Sequence, residues 1–124
     1  MNSTAAPSWG QGVQPIPSDY DPSVDGSSLL FFSMPGCPWC TRIAPVMDTV
    51  ARTLGSVVPV YKVGPDSPLT QIFGVTGFPT LIYFNEYGVP TKYDGERTAD
   101  AIAAFVCNHT ANRHSVCTKF YSLS

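Results

Sequence analysis

The sequence predicts an α/β domain in which a mixed β-sheet of about four strands is flanked by helices. Two observations support this prediction. Short apolar runs of strand length alternate with amphipathic stretches of helical period, in the order strand, helix, strand, connection, hairpin, helix. The first three elements form a βαβ unit with parallel strands, and the later hairpin adds antiparallel strands to the same sheet.

The first strand and the first long helix are adjacent in the chain. Residues 29–33 form an apolar run, which is typical of a strand buried on both faces of a sheet. A turn follows, and apolar residues then recur every three or four positions as far as Leu54, which predicts one buried helix face. Pro45 lies inside this helix and should kink it, and Gly55 should end it.

The second half of the chain supplies the remaining elements. Residues 57–63 predict a second strand, and residues 64–77 predict a connection with one helical turn. Residues 80–84 and 89–93 predict the two strands of a hairpin. Thr98 can cap a final helix. The apolar face of that helix consists of Ile102, Phe105 and Val106.

The chain divides into a central domain and two ends. Residues 1–27 are rich in Pro, Gly and Ser, and all their charges are acidic, so we expect a flexible arm. Residues 28–108 form the predicted domain, and residues 109–124 form a tail without acidic residues or clear periodicity. The alternative for the arm is that three apolar side chains dock on the domain or on a partner: Trp9, Ile16 and Tyr20.

Composition excludes several classes of protein. The 124 residues suffice for one domain with its own core, and 44% of them are hydrophobic while 13% are charged. A net charge of -2 gives no reason to expect nucleic acid or an acidic membrane as a partner. No apolar run approaches the roughly 18 residues of a membrane span. We therefore expect a soluble monomer that binds neither nucleic acid nor a membrane.

The first ten residues bear on the compartment. They lack the basic and apolar segments of a secretory signal peptide, so we expect a non-secreted, cytoplasmic chain. An oxidising compartment or a packaged particle is the alternative. Under the first expectation, the glycosylation motifs at Asn2 and Asn108 are accidental.

The strongest chemical signal is a pair of cysteines, Cys37 and Cys40, at the start of the predicted helix. Two intervening residues allow the sulfurs to close a small ring and to open it again. At a helix N-terminus, the unpaired N–H groups and the positive end of the dipole favour the thiolate of Cys37. Cys40, one turn later, is more shielded and is suited to resolving a mixed disulfide.

A zinc site and an inert disulfide are the alternatives for this pair. Zinc needs a second pair of ligands, and the nine residues between Cys107 and Cys117 are not a zinc-knuckle spacing. A reducing compartment disfavours a purely structural disulfide. We therefore expect no metal and no bound cofactor.

The segment 37–40, which reads CPWC, resembles the active-site helix of the thioredoxin family, as does the proline eight residues after its first cysteine. Residues 74–80 resemble the second motif of that family, in which Pro79 follows a cis peptide bond and packs against the disulfide. Residues 93–98 are similar to domains of protein disulfide isomerases. The resemblance spans residues 28–108 and implies a thioredoxin fold, here without the complete first strand and helix.

The resemblance also implies an activity and the roles of single residues. The activity is thiol–disulfide exchange with protein substrates, in cooperation with a reductase or oxidase that the sequence does not identify. Cys37 attacks the substrate and Cys40 resolves the mixed disulfide. The active-site dipeptide consists of Pro38 and Trp39. The substrate groove is shaped by Gly77, Phe78 and Pro79.

Three features depart from the family pattern. Gly36 stands where a tryptophan commonly precedes the first cysteine, and Phe31 stands where thioredoxins and disulfide isomerases bury a carboxylic acid. Without that acid, water, a backbone group or another side chain must move the proton of Cys40, or exchange is slower. Lys62 is then expected to be a surface residue. The dipeptide between the cysteines is nearer to that of glutaredoxins, although their glutathione-binding segment has no good match here.

Two other functions therefore stay open: a thioredoxin-like module that binds partners with little redox turnover, and a glutaredoxin-like or metal-binding protein. The second cysteine pair, Cys107 and Cys117, has three interpretations: a disulfide that anchors the tail, a redox pair that exchanges electrons with Cys37, and two free thiols. We expect His109 and His114 to be solvated tail residues, with a metal site that includes them as the alternative.

Overall fold

The computed structural model describes residues 12–55 and 57–121, and its centre is one five-stranded sheet. The strands are β1 (Gln14–Pro15), β2 (Ser28–Phe32), β3 (Val60–Val63), β4 (Thr80–Phe84) and β5 (Pro90–Tyr93), in the order β1-β3-β2-β4-β5. β3 lies parallel to both β1 and β2, whereas β4 is antiparallel to β2 and to β5. The predicted mixed sheet is confirmed, with five strands instead of about four.

Helices cover both faces of this sheet. They are α1 (Pro22–Asp25), α2 (Pro38–Leu54), α3 (Pro68–Ile72), α4 (Ala99–His109) and α5 (Thr118–Tyr121), with a 3₁₀ turn at Ser115–Cys117. α2 and α4 pack together on one face, and α3 packs on the other. The predicted order of strands and helices is therefore confirmed from β2 to α4. In the part of the chain that the structure describes, no helix is long and apolar enough to cross a membrane.

The central strand, β2, is buried along its whole length. Leu29 and Phe31 lie in the larger core with α2 and α4, whereas Leu30 and Phe32 lie in a second core on the opposite face. A strand with neighbours on both sides and a core on each face has no solvated position. Its sequence is therefore uninterrupted and apolar instead of alternating.

Residues 12–27 pack against the domain and do not form the flexible arm that their composition predicted. β1 extends the sheet beside β3, and the Ile16 N–H donates to a carbonyl oxygen of β3 at 3.1 Å. Tyr20 is buried, and its hydroxyl hydrogen-bonds with that of Ser28. Trp9, the third side chain considered for docking, lies outside the described residues. Backbone pairing along a strand edge requires no side-chain period, so the composition did not reveal it.

Residues 109–121 also pack against the domain, in contrast to the tail predicted from their lack of periodicity. Cys117 and Phe120 lie in the larger core. A disulfide joins Cys117 to Cys107 near the end of α4, with the two Cα atoms 5.6 Å apart. Cys107 belongs to the buried face of α4, whereas Phe105, which the pattern placed on that face, is half-buried. Because this segment is short, a few buried side chains are enough to anchor it, and no regular repeat of apolar residues is needed.

The carboxylate of Glu86, in the turn between β4 and β5, contacts polar groups of residues 110–114. Glu86 accepts hydrogen bonds from the Thr110 hydroxyl, the Ala111 N–H (2.8 Å) and the Asn112 side-chain amide (3.3 Å). The His114 Nε2 atom lies 3.8 Å from the same carboxylate, so this histidine is not the solvated residue that the sequence predicted. Burial alone would raise the pKa of Glu86, but the hydrogen bonds outweigh burial and hold the pKa below its usual value.

Removal of the Cys107–Cys117 disulfide should destabilise the fold. In the Cys107→Ala/Cys117→Ala variant the unfolded chain regains the freedom of a loop whose ends are 10 residues apart. We therefore expect the free energy of unfolding to fall by about 2–4 kcal/mol. Urea denaturation of both proteins without reductant measures this difference. An unchanged midpoint would contradict the anchoring role of the disulfide.

Tyr20 should make the fold sensitive to alkaline pH. Burial raises the pKa of its phenol to about 12, against 10.0 for an ordinary tyrosine. Its stabilising effect is complete below pH 10 and is lost as the pH rises towards 12, because only the unfolded chain ionises in that interval. Tyr20→Phe should cost about 1 kcal/mol at neutral pH, where Ser28 loses its partner, and the difference from wild type should shrink above pH 10. Unfolding free energies from neutral pH to pH 11 test this, and a constant difference would contradict it.

Candidate active site

The predicted cysteine pair lies where β2 ends and α2 begins. Gly36 adopts a positive φ of 76°, which glycine tolerates because it lacks a Cβ atom, and so turns the chain out of the sheet. Cys37 is the N-cap residue of α2, and Pro38 is the first helical residue, where proline loses no hydrogen bond. The local sequence thus places the first cysteine at the positive end of a 17-residue helix.

Cys37 and Cys40 form a disulfide, with their Cα atoms 5.2 Å apart. The Cys40 N–H donates to the Cys37 Sγ atom at 3.1 Å, so the sulfur occupies the place of an N-capping oxygen. Cys40 is 3% exposed, whereas Cys37 is only half-buried. An incoming thiolate or disulfide can therefore reach Cys37 and not Cys40.

The register of the sheet brings a second segment to the cysteines. Phe32, the last residue of β2, pairs with Thr80, the first residue of β4. The chain just before β4 therefore lies beside the chain just after β2, and the segment so placed is residues 77–79. One site is assembled in this way from two parts of the sequence that are 41 residues apart.

Phe78 and Pro79 face the disulfide. The peptide bond between them is cis, as the family motif predicts, and the Phe78 carbonyl oxygen lies 3.7 Å from the Cys37 Sγ atom. The Thr80 hydroxyl donates to the Gly77 carbonyl oxygen at 2.7 Å. The same residues line an open groove of about 440 Å³ that continues along β4 and β5. The substrate-binding role of this segment stays a prediction.

Trp39 is 57% exposed beside the disulfide and has two arginines close to its ring. The guanidinium carbon of Arg42 is 4.9 Å from the ring centre, and that of Arg97 is 5.9 Å from it. The sequence pattern alone indicates no role for either arginine. Arg97 comes from the loop between β5 and α4, and no periodicity relates that loop to the cysteines.

An apolar side chain, that of Phe31, stands at the position where the family has a buried carboxylic acid. Phe31 is buried in the larger core, and its register partner on β3 is Lys62, which is exposed as predicted. Both residues line an open cavity of about 520 Å³ that reaches Cys40. Ser33 also lines this cavity, whereas no carboxylate of the described residues does so. The space behind the second cysteine is therefore open to solvent.

The second disulfide is separate from this site. Cys107 lies near the C-terminal end of α4, whereas Arg97 precedes the N-terminal end, and both Cys107 and Cys117 are buried. Their sulfurs therefore have no access to the active-site disulfide in the folded protein. His109 is exposed, with its Nδ1 atom 2.8 Å from the Phe105 carbonyl oxygen. Over residues 12–55 and 57–121, no three His, Cys, Asp or Glu side chains form a group that could hold a metal ion.

Comparison with known proteins relates this geometry to a family. The thioredoxin family model matches residues 17–108. The chain is 37% identical over 103 residues to protein disulfide isomerase-like 5-3 of Oryza sativa subsp. japonica, and 39% identical over 97 residues to the protein disulfide-isomerase A6 homolog of Drosophila melanogaster. These alignments cover 77% and 73% of this chain but 24% and 22% of the relatives. The chain thus spans about a quarter of the length of these two curated relatives.

A solved structure has the same architecture. The first thioredoxin domain of mouse protein disulfide-isomerase A4 aligns with a TM-score of 0.61 and 32% sequence identity, over 68% of this chain and 64% of that chain. The family match contains both cysteines of the active-site pair and the cis proline. This chain therefore belongs to the thioredoxin family and has the thioredoxin fold.

Proposed function

We propose that this protein catalyses thiol–disulfide exchange with protein substrates through Cys37 and Cys40. The observation that carries the proposal is the unequal exposure of two bonded sulfurs at a helix N-terminus, with Cys37 accessible and Cys40 3% exposed. A disulfide that only braces the fold needs no such difference. Relatives named protein disulfide isomerase, at 37% and 39% identity, support the same activity.

In the reduced protein, Cys37 begins the reaction as a thiolate. Its sulfur bonds to one sulfur of a substrate disulfide, that disulfide breaks, and the other substrate sulfur leaves as a thiolate. The product is a mixed disulfide between Cys37 and the substrate. The helix N-terminus and the Cys40 N–H stabilise negative charge on the Cys37 sulfur, which favours both its attack and its departure in the reverse direction.

Cys40 completes the reaction. It loses its proton, its thiolate attacks the Cys37 sulfur, and the substrate leaves as a second thiolate. The substrate has then gained two electrons, and the protein holds the Cys37–Cys40 disulfide again. The same steps in reverse oxidise a substrate dithiol. The Cα separation of 5.2 Å allows the ring to close without a change of backbone.

Water in the cavity behind Cys40 is the acceptor that we propose for its proton. No carboxylate of the described residues lines this space of about 520 Å³, and Phe31 occupies the position of the family's acid. A positioned general base accelerates proton transfer by roughly 10²–10⁴-fold. We therefore expect the resolving step to be the slower of the two.

The substrate chain lies along residues 77–79 in this proposal. The Gly77 and Phe78 N–H groups donate to no other backbone group of the described residues, which leaves them available to an extended peptide. Such a peptide adds to the protein as a short strand and brings its sulfur to Cys37. The groove of about 440 Å³ beside Pro79 then receives the neighbouring side chains.

A partner-binding module with little turnover is the second candidate. The observation that favours it is that no carboxylate of the described residues lines the cavity beside Cys40, where Phe31 is packed into the core. In that case the groove at residues 77–79 would hold a partner while exchange stays too slow to matter. A measurement of turnover separates the two functions.

Reduction of insulin by dithiothreitol provides that measurement. The protein should accelerate the appearance of insulin turbidity, and Cys37→Ser should remove the acceleration because the accessible nucleophile is lost. The Cys107→Ala/Cys117→Ala variant is the matched control and should retain it, since that disulfide is buried and separate. Equal rates for wild type and Cys37→Ser would reject the enzyme and leave the binding module.

We infer that the protein works in an oxidising compartment instead of the cytoplasm suggested by its first residues. All four cysteines are paired, and the buried Cys107–Cys117 disulfide holds the last segment to the core. Disulfides of this structural kind persist in oxidising compartments and are rare in the cytosol. The names of the disulfide-isomerase relatives support the same inference.

Thiol blocking in the native cell tests the compartment. Cells are treated with N-ethylmaleimide before lysis, and the protein is then digested and analysed by mass spectrometry. Cys107 and Cys117 should carry no adduct, because they are bonded and buried. Adducts on both of these residues in the freshly blocked protein would indicate a reducing compartment and contradict the inference.

A further inference from the structure

Three side chains form a cationic cluster beside the active-site disulfide. Trp39 lies between the two cysteines in the sequence, Arg42 lies on α2, and Arg97 lies in the loop before α4. The guanidinium carbons are 4.9 and 5.9 Å from the centre of the indole ring, within the range of cation–π contacts. We call this cluster the arginine–tryptophan rim.

The positive charge of the rim has no ion-pair partner among the described residues. Across residues 12–55 and 57–121, no carboxylate forms an ion pair with either arginine. Asp94, on the same loop as Arg97, lies 3.9 Å from Lys92 instead. Both arginines are exposed. Glu96 precedes Arg97 on the same loop, but neither it nor Asp94 forms an ion pair with Arg97, so both guanidinium groups are open to an anion from outside the protein.

The stacked arrangement leaves the hydrogen-bonding groups of the arginines unused. A guanidinium has five N–H donors in a planar fork that matches the two oxygens of a carboxylate. Contact with the face of an aromatic ring restrains the side chain without occupying those donors. Within the described part of the chain, neither the Arg42 nor the Arg97 guanidinium donates a hydrogen bond to a protein acceptor. The rim is therefore suited to hold an anion from outside the protein.

We propose that the rim binds a carboxylate of the protein substrate, so that disulfides flanked by Asp or Glu react preferentially. This inference rests on the proposed function, because it concerns the substrate of the same site. Trp39 follows Cys37 by two residues, and consecutive Cα atoms of an extended substrate are about 3.8 Å apart. An acidic side chain one or two residues from the reacting cysteine therefore reaches the rim when that cysteine meets Cys37.

Three peptides test this preference. Each contains the same disulfide and differs only at the residue next to the reacting cysteine, which is Glu, Gln or Lys. We expect kcat/KM for their reduction to fall in that order, with the Glu peptide about 5- to 20-fold better than the Lys peptide, the range for attraction and repulsion at exposed charges. High salt should reduce the ratio, because it screens exposed charges.

Variants of the two arginines test whether the rim causes the difference in kcat/KM between the Glu and Lys peptides. Arg42→Gln/Arg97→Gln should bring the Glu-to-Lys ratio to within about twofold of one, and Arg42→Lys/Arg97→Lys should restore part of it, because lysine keeps the charge but not the fork. Arg113→Gln is the matched control: its guanidinium carbon also lies over an aromatic ring, 4.0 Å from the centre of Tyr121, but beyond the other end of α4. It should leave the ratio at the wild-type value.

Each outcome supports or overturns the proposal. A ratio that survives in Arg42→Gln/Arg97→Gln overturns it. A loss of rate that is equal for all three peptides also overturns it, because the arginines would then act on the Cys37 thiolate and not on the substrate. If wild type fails to reduce even the Gln peptide, the proposed function itself fails. If it reduces all three peptides equally, only the inference about the rim is lost.

Discussion

The register between β2 and β4 is the constraint on which the active site depends. Pairing Phe32 with Thr80 sets the cis bond between Phe78 and Pro79 beside the start of α2. Tyr83 lies in the larger core, while its two neighbours on β4 lie in the second core. A slip of one residue would exchange these faces and lose both cores. Core packing therefore holds the geometry of the candidate site, in which Cys40 is the buried member of the disulfide.

The start of α2, the Cys40 N–H and the two arginines of the rim favour negative charge on sulfur or on a bound substrate. Cys37 sits at the positive end of α2 and receives the Cys40 N–H, and two arginines lie within 6 Å of the adjacent indole ring. Phe31 stands in place of the family's buried acid, so no carboxylate of the described residues lines the cavity behind Cys40. The replacement of the family's acid by Phe31 and the two arginines of the rim thus both make negative charge at the site more favourable.

Most of the central fold, and half of the site, could be predicted from the chain. β2 and α2 follow from one apolar run and one helical period, and the CPWC segment placed both cysteines at the start of that helix. The described parts of the two ends, residues 12–27 and 109–121, pack against the domain, which for the first of them was only the alternative expectation. The residues around β1 join the sheet through backbone hydrogen bonds, and the last segment is held by one disulfide, by Phe120 and by Glu86. Neither kind of anchor produces a repeating pattern of side chains.

The sequence by itself determined the CPWC cysteine pair, the helix that carries it and the proline of the cis peptide bond, because each depends on neighbouring residues or on a recognisable motif. Only the tertiary structure decided that Arg97 meets Trp39, that Cys107 bonds to Cys117, and that no carboxylate of the described residues lines the cavity behind Cys40. These contacts join residues from separate elements. The register of the sheet and the packing of helices on it determine which residues meet. Register and packing depend on many residues together, so no single position of the chain reveals these contacts.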